Sequence, residues 1–479
     1  MNFFIISAFI LYFVILITIG LFAHQKSKTE SDFILGDRSV NYWVTAISAH
    51  ASDMSAWLFM AFPAAIYVGG IAQSWIAIGL LAGMFFNWQF IARKLRTETE
   101  RLNCFTLSTF FEKKFNDPTR TLRVTTAIMS LVFLTCYLSA GLIAMGFLFE
   151  SLFDINFYIG IIFATVVVCI YTLFGGFVTV AWVDFFQGCF LLSVILLVPI
   201  YALISHTDVN TIIEVATHKG IPLSFFEDGS WKSLIAALCL SFGWGLGYFG
   251  QPHIITKFMG ISDPNEVHKS KYIGMTWQFV ALASSLAVGL VGISLFENGL
   301  TNNELIFVEM VKQIFHPFFV GFILCAVLAA NLSTMDSQIL VCASVMTEDI
   351  YKFLLKKEAT TERLLFFTRM SVIAIALISL IIACSKSASV SMTVLFAWSG
   401  LGCTFGPLVV MSLYLKRINR WGALTGILTG GLVAFIWPFI NPFVADFLIP
   451  SLVPGFALGC LAIYLVSIGT EKQNERGNL

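Results

Sequence analysis

The chain has 479 residues, 58% hydrophobic and only 12% charged, against about 45–50% and about 25% for an ordinary soluble domain, which excludes a soluble globular protein. Its 28 Lys and Arg balance its 28 Asp and Glu, so net charge makes no case for a nucleic-acid partner or a polybasic membrane tether. Ten cysteines lie singly, without a C-x-x-C pair, and read as buried hydrophobes, neither a disulfide framework nor a zinc site.

Crossing a hydrocarbon core of about 30 Å takes about 20 apolar residues. Thirteen stretches qualify: 2 to 23, 41 to 70, 71 to 92, 124 to 150, 156 to 175, 182 to 206, 231 to 256, 272 to 298, 317 to 347, 364 to 385, 388 to 415, 421 to 438 and 451 to 469. They predict an all-α integral membrane protein, one transporter-sized domain over 1–479 with no separate soluble domain. The first stretch has no cation before it and no small-residue cleavage site after it, so it reads as a retained helix and not a signal peptide. Alternate connections hold 24 Lys and Arg against four, Lys219, Lys232, Lys312 and Lys386. Cytoplasmic loops retain positive residues, so the N-terminus is expected outside and residues 470–479 inside as a tail. Since hydropathy chose the spans, this split is a consistency test. The connection from Arg93 to Arg123 carries eight cations and Leu107-Ser108-Thr109-Phe110-Phe111, which suits either an amphipathic helix along the membrane surface or a solvated loop. The connection over 206–230 suits a lid or a tether equally.

Irregular backbone at membrane depth survives only where it lines a cavity or is buried in protein. The second span contains Ser48-Ala49-His50-Ala51-Ser52-Asp53-Met54-Ser55, with Pro63 further on. Five spans later the seventh contains Ser241-Phe242-Gly243-Trp244-Gly245-Leu246-Gly247-Tyr248-Phe249-Gly250-Gln251-Pro252-His253. Its glycines and proline weaken a helix by entropy and by a missing donor. Singly, each segment is as compatible with tight small-residue packing as with a site. Together they predict two discontinuous helices at matching places of a 5+5 inverted repeat, 41–206 and 231–415, flanked by 2–23 and 421–469, with binding at the midplane.

The ninth span carries Ala330, Ser333, Thr334 and Ser337 at i, i+3, i+4, i+7 spacing, one helical stripe presenting three hydroxyls. Hydroxyls and the carbonyls of an unwound neighbour suit a small hard cation, although such hydroxyls commonly bond back to their own helix. Ionisable residues at membrane depth are functional candidates: Asp53 in the first break, Asp184 near the start of the sixth span, and Asp336 on the ninth. The last two suit a structural pairing as well as a cation. His50 and His253 read as hydrogen-bonded core imidazoles. The sequence has no G-x-x-x-x-G-K-[ST] and no His pair at metal-ligand spacing. Energy is therefore expected from a gradient, with no cofactor and no transition metal.

The runs 48–57, 242–253, 329–334 and Thr347-Glu348-Asp349-Ile350-Tyr351-Lys352, with Asp32-Phe33-Ile34-Leu35-Gly36-Asp37-Arg38-Ser39 and Ser74-Trp75-Ile76-Ala77-Ile78-Gly79, resemble the sodium:solute symporter family. The order is colinear from about residue 10 to 465, and residues 244–253 lean toward its proline branch. The resemblance implies a bacterial inner-membrane carrier, not an enzyme, that couples sodium entry to uptake of an amino acid, L-proline first, with another small zwitterion or carboxylate as the alternative. It implies sodium on the carbonyls of Ala51, Met54 and Ala330 and the hydroxyls of Ser333 and Thr334, supported by Asp53. Ser55, Trp57, Tyr137, Trp244, Tyr248 and Pro252 would line the substrate pocket, where aromatic faces suit a pyrrolidine ring; interhelical packing is the other use of such rings. Asp336-Ser337 departs from the proline branch and, with Ser333 and Asp184, implies a possible second cation site. Ala64-Ala65-Ile66-Tyr67 alters the wall beyond the pocket. A transporter-like sensor would need an output domain, for which only 469–479 follow the last span.

Overall fold

Without water to serve the backbone, long apolar runs are left with helix. The computed structural model describes residues 2–24, 34–174, 176–226, 228–352, 361–385 and 389–477. Among them no strand occurs, only a single bridge between Val40 and Ile261. The α-helices are α1 Asn2–His24, α2 Tyr42–Met54, α3 Ala61–Gly69, α4 Trp75–Phe86, α5 Arg93–Arg101, α6 Leu107–Lys114, α7 Thr121–Phe153, α8 Phe157–Phe174, α9 Phe177–Ser205, α10 Val209–Lys219, α11 Trp231–Gly245, α12 Pro252–Met259, α13 Val267–Leu295, α14 Ile306–Ile314, α15 Pro317–Ser344, α16 Thr361–Ala383, α17 Val390–Tyr414, α18 Arg420–Val444 and α19 Leu452–Gly477. Asp32, Phe33 and the cations Lys26, Lys28, Lys356, Lys357 and Lys386, used above, lie outside the described residues.

Ten helical stretches among the described residues are long and apolar enough to cross a membrane, against thirteen expected. The second expected span is cut after Met54, so α2 is only 13 residues long. The first and fifth appear as the shorter apolar helices Phe3–Ile19 and Phe157–Ile170. The twelfth extends beyond 438 to Val444, with Pro438 and Pro442 inside the helix. The connection over 206–230 contains α10, capped by Asp208 accepting from the Thr211 amide.

At the centre stands α15, in which every residue from Ile323 to Ser344 is buried. It packs against α1, α2, α7, α9 and α16. Outer helices turn apolar side chains outward, as Ile381 on α16 and Phe443 on α18 do, the pattern of a surface facing lipid. The cationic connection differs from a surface helix. Leu107, Ser108, Thr109, Phe110 and Phe111 are all buried, because α6 docks on α7 and the end of the α15 rod. There Arg123 Nε contacts Asp349 Oδ1 at 2.8 Å, and Thr106 and Thr109 donate to the same oxygen.

Glycine decides how closely α11 approaches α4. A Cβ on Gly245 would stand 2.4 Å from the Gly79 carbonyl, and one on Gly83 2.0 Å from the Gly245 carbonyl. Part of the glycine run is therefore packing, as small residues at helix interfaces allow.

Candidate functional site

The first interruption follows α2. Ser55 adopts φ 48° and ψ −169°, a short 3-10 turn covers Ala56–Leu58, and helix resumes at Ala61. A non-glycine residue with positive φ is strained and marks a place held by its surroundings. Ser55 Oγ accepts from the Trp57 amide at 3.1 Å and so closes the turn. Across the gap, Ser333 Oγ lies 2.9 Å from the Ala51 carbonyl and 3.0 Å from that of Ala330, and Thr334 Oγ1 lies 3.1 Å from Ala330 O. Four oxygens thus share two hydroxyl protons. Met54 is buried at the lip of the same break.

In the second interruption a 3-10 turn over Leu246–Gly250 ends at Gln251, in extended conformation, before Pro252 opens α12. Proline suits a first helical position because its missing N–H would go unused there. Gln251 Nε2 fills the gap by lying 3.2 Å from Gly247 O and 3.1 Å from Trp398 O. Trp57 packs on Trp244 at 4.9 Å between centroids and stacks on Phe62 at 5.2 Å; Trp398 stands edge-on to Tyr248 at 5.1 Å. Tyr248 also donates to Asp53 Oδ2 at 2.5 Å and accepts from Gln278 Nε2 at 2.9 Å, tying one break to the other.

A second tie lies one turn away. Lys257 Nζ on α12 is 2.7 Å from Asp184 Oδ2 on α9, which also receives Ser52 Oγ at 2.9 Å and Ser337 Oγ at 3.3 Å. Lysine and aspartate are both buried. Asp184 Oδ1 and both carboxylate oxygens of Asp336 have no hydrogen-bond partner. Beyond the spans, Arg38 donates to Met259 O and Cys104 O at 2.9 and 3.0 Å, clamping the end of α12. Burial, with Arg96 beside it, brings its guanidinium down to about 10.

Comparison with known proteins decides the family. The model of the sodium:solute symporter family matches residues 33–430. The chain belongs to the sodium:solute symporter family. This symporter is 39% identical over 466 residues to the high-affinity proline transporter PutP of Bacillus subtilis (strain 168), covering 96% of this chain and 97% of the relative. It is 38% identical over 428 residues to the sodium/proline symporter of Escherichia coli (strain K12), covering 88% and 84%. A substrate-bound, outward-open Na+-coupled sialic acid symporter has the same fold, with TM-score 0.79, 17% identity and 97% of both chains covered.

The symporter's structure gathers Ala51, Ala330, Ser333 and Thr334 at the first break, and Asp184, Ser337 and Ser52 around one carboxylate oxygen. Ser55, Tyr137 and Thr334 line one narrow cavity. Pro252 lines a different one, with Thr106, Thr256 and Ser344. His50 accepts from Trp88 Nε1 at 3.2 Å, as a core imidazole should. His253 differs: it stands edge-on to Tyr137 with neither ring nitrogen paired. Sequence reasoning missed Lys257 and Trp398. The first stood one residue past the seventh stretch, among the cations of a connection, where nothing local marked its burial; nothing local marks the second.

Proposed function

We propose that this symporter couples inward movement of sodium to uptake of L-proline by alternating access. The observation that carries the reading is the first break, where Ser333 Oγ bridges the carbonyls of Ala51 and Ala330. Oxygen-rich and proton-poor, this seat suits a small hard cation. Met54 O and Thr334 Oγ1 complete it, and Asp53, two residues after Ala51 and held by Tyr248, supports the break. The aromatic wall of Trp57, Trp244 and Tyr248 suits a pyrrolidine ring, and relatives named for proline support that substrate.

Binding is reciprocal, so sodium and proline tighten each other by the same factor. A monovalent ion entering a negative interior contributes about 2.3 kcal/mol per 100 mV besides its concentration gradient. The helices of 41–206 and 231–415 form the two inverted repeats that rock about the seat. The protein lies in a bacterial inner membrane, N-terminus outside and C-terminus in the cytoplasm. Asp184, Asp336 and Ser337 offer a second cation pocket, but Lys257 already supplies a positive charge there, which supports one sodium per cycle. Uptake of labelled proline by proteoliposomes tests the reading. It is expected to accumulate only with an inward sodium gradient, and accumulation without sodium would refute it.

A further inference from the structure

Helix α15 turns two stripes to two neighbours. Ala330, Ser333 and Ser337 face the first break and Asp184. About 100° further round, at the angle that 3.6 residues per turn dictates, Asn331 and Gln338 line a narrow cavity with Ser55, Tyr137, Thr334 and Val394. Thr334 belongs to both stripes. Asn331 has spent its amide protons on the Gly141 carbonyl at 2.9 Å and Met335 Sδ at 3.1 Å, leaving Oδ1 unpaired. Gln338 has spent nothing. It is 1% exposed, and neither Nε2 nor Oε1 has a partner. A buried polar group without a partner is unfavourable and marks a place where something else pairs with it.

We propose that Gln338 recognises the polar head of the transported amino or imino acid, its Nε2 donating to the carboxylate and its Oε1 accepting from the protonated amine. A neutral amide carries both complements of a zwitterion and adds no charge to a low-dielectric site. Ser55 and Tyr137 supply hydroxyls to the same cavity. The assignment rests on the transport reading above and extends it to the residue that selects the head group. It also gives Thr334, shared between stripes, a place from which ion occupancy and substrate contact are sensed together.

The test uses full-length protein in proteoliposomes with labelled proline, in parent, Gln338→Met and Gln338→Glu. Sodium binding without proline is followed separately by tryptophan fluorescence. Gln338→Met is expected to raise KM for proline about tenfold or more, as loss of a paired polar contact in a buried site does, with sodium affinity within about twofold of the parent. Gln338→Glu is expected to lose proline while losing less of prolinamide's capacity to compete, because its charge repels a carboxylate. Parent-like KM and competition in Gln338→Met would overturn the proposal. So would an equal loss of sodium binding, or failure of both variants to fold, either of which makes the amide structural. If the parent takes up proline only with sodium while Gln338→Met is unaffected, this assignment alone fails; if the parent shows no sodium-dependent uptake, the transport reading fails first.

Discussion

At Ser55 the chain breaks by a backbone turn into positive φ, and the carbonyl on the preceding helical turn is met by a hydroxyl from another helix. At Gln251 it breaks through an extended residue and a proline, and the residue's own side chain covers the exposed carbonyls. The first leaves more oxygens than protons, whereas the second is closed by protein groups and walled by tryptophan. Two interruptions at matching places therefore differ in chemistry: the first gathers oxygens that outnumber their protons, and the second is covered by a side-chain amide. They are joined by Tyr248 to Asp53 and by Lys257, through Asp184, to Ser52, so movement at one is felt at the other.

That contrast breaks most visibly at the buried ion pair. Lys257→Met strips the buried Asp184 of its counter-charge and is expected to cost about 3–5 kcal/mol, read as a fall in the unfolding temperature of the purified protein. Adding Asp184→Asn should recover most of it; no recovery would mean that the pair is not the source. Tyr248→Phe removes the donor to Asp53 and is expected to cost about 1–3 kcal/mol while leaving uptake sodium-dependent, measured in the same vesicles. Gln251→Leu removes the donor to the Gly247 carbonyl at the second break and to Trp398 O on α17, for a loss of about 1 kcal/mol. Its half-saturating sodium should stay at the parent value, and a large shift there would erase the distinction between the breaks.

The sequence made the hydropathic order, both interruptions and the hydroxyl stripe legible, because each is a local pattern of residue types. Helical spacing placed Ser333 and Thr334 on one face, and that face does meet Ala51. Partners distant in the chain were not legible. Asp53 stood out as ionisable, but no local feature paired it with Tyr248, nor Asp184 with Lys257. Amphipathic character near Leu107–Phe111 was visible too, although whether lipid or protein covered that face depended on α7 and the end of the α15 rod. Gln338 directly follows Ser337 of the stripe, one face away from the hydroxyls, and only the cavity gives it a use.

The proposed coupling rests on binding of the ion at the first break through the α15 hydroxyls. Its most direct test is the sodium concentration that half-saturates proline uptake in Ser333→Ala, at parent-like protein abundance. That concentration is expected to rise about tenfold or more, ~1.4 kcal/mol, with uptake recovering at high sodium. An unchanged half-saturating concentration would contradict it.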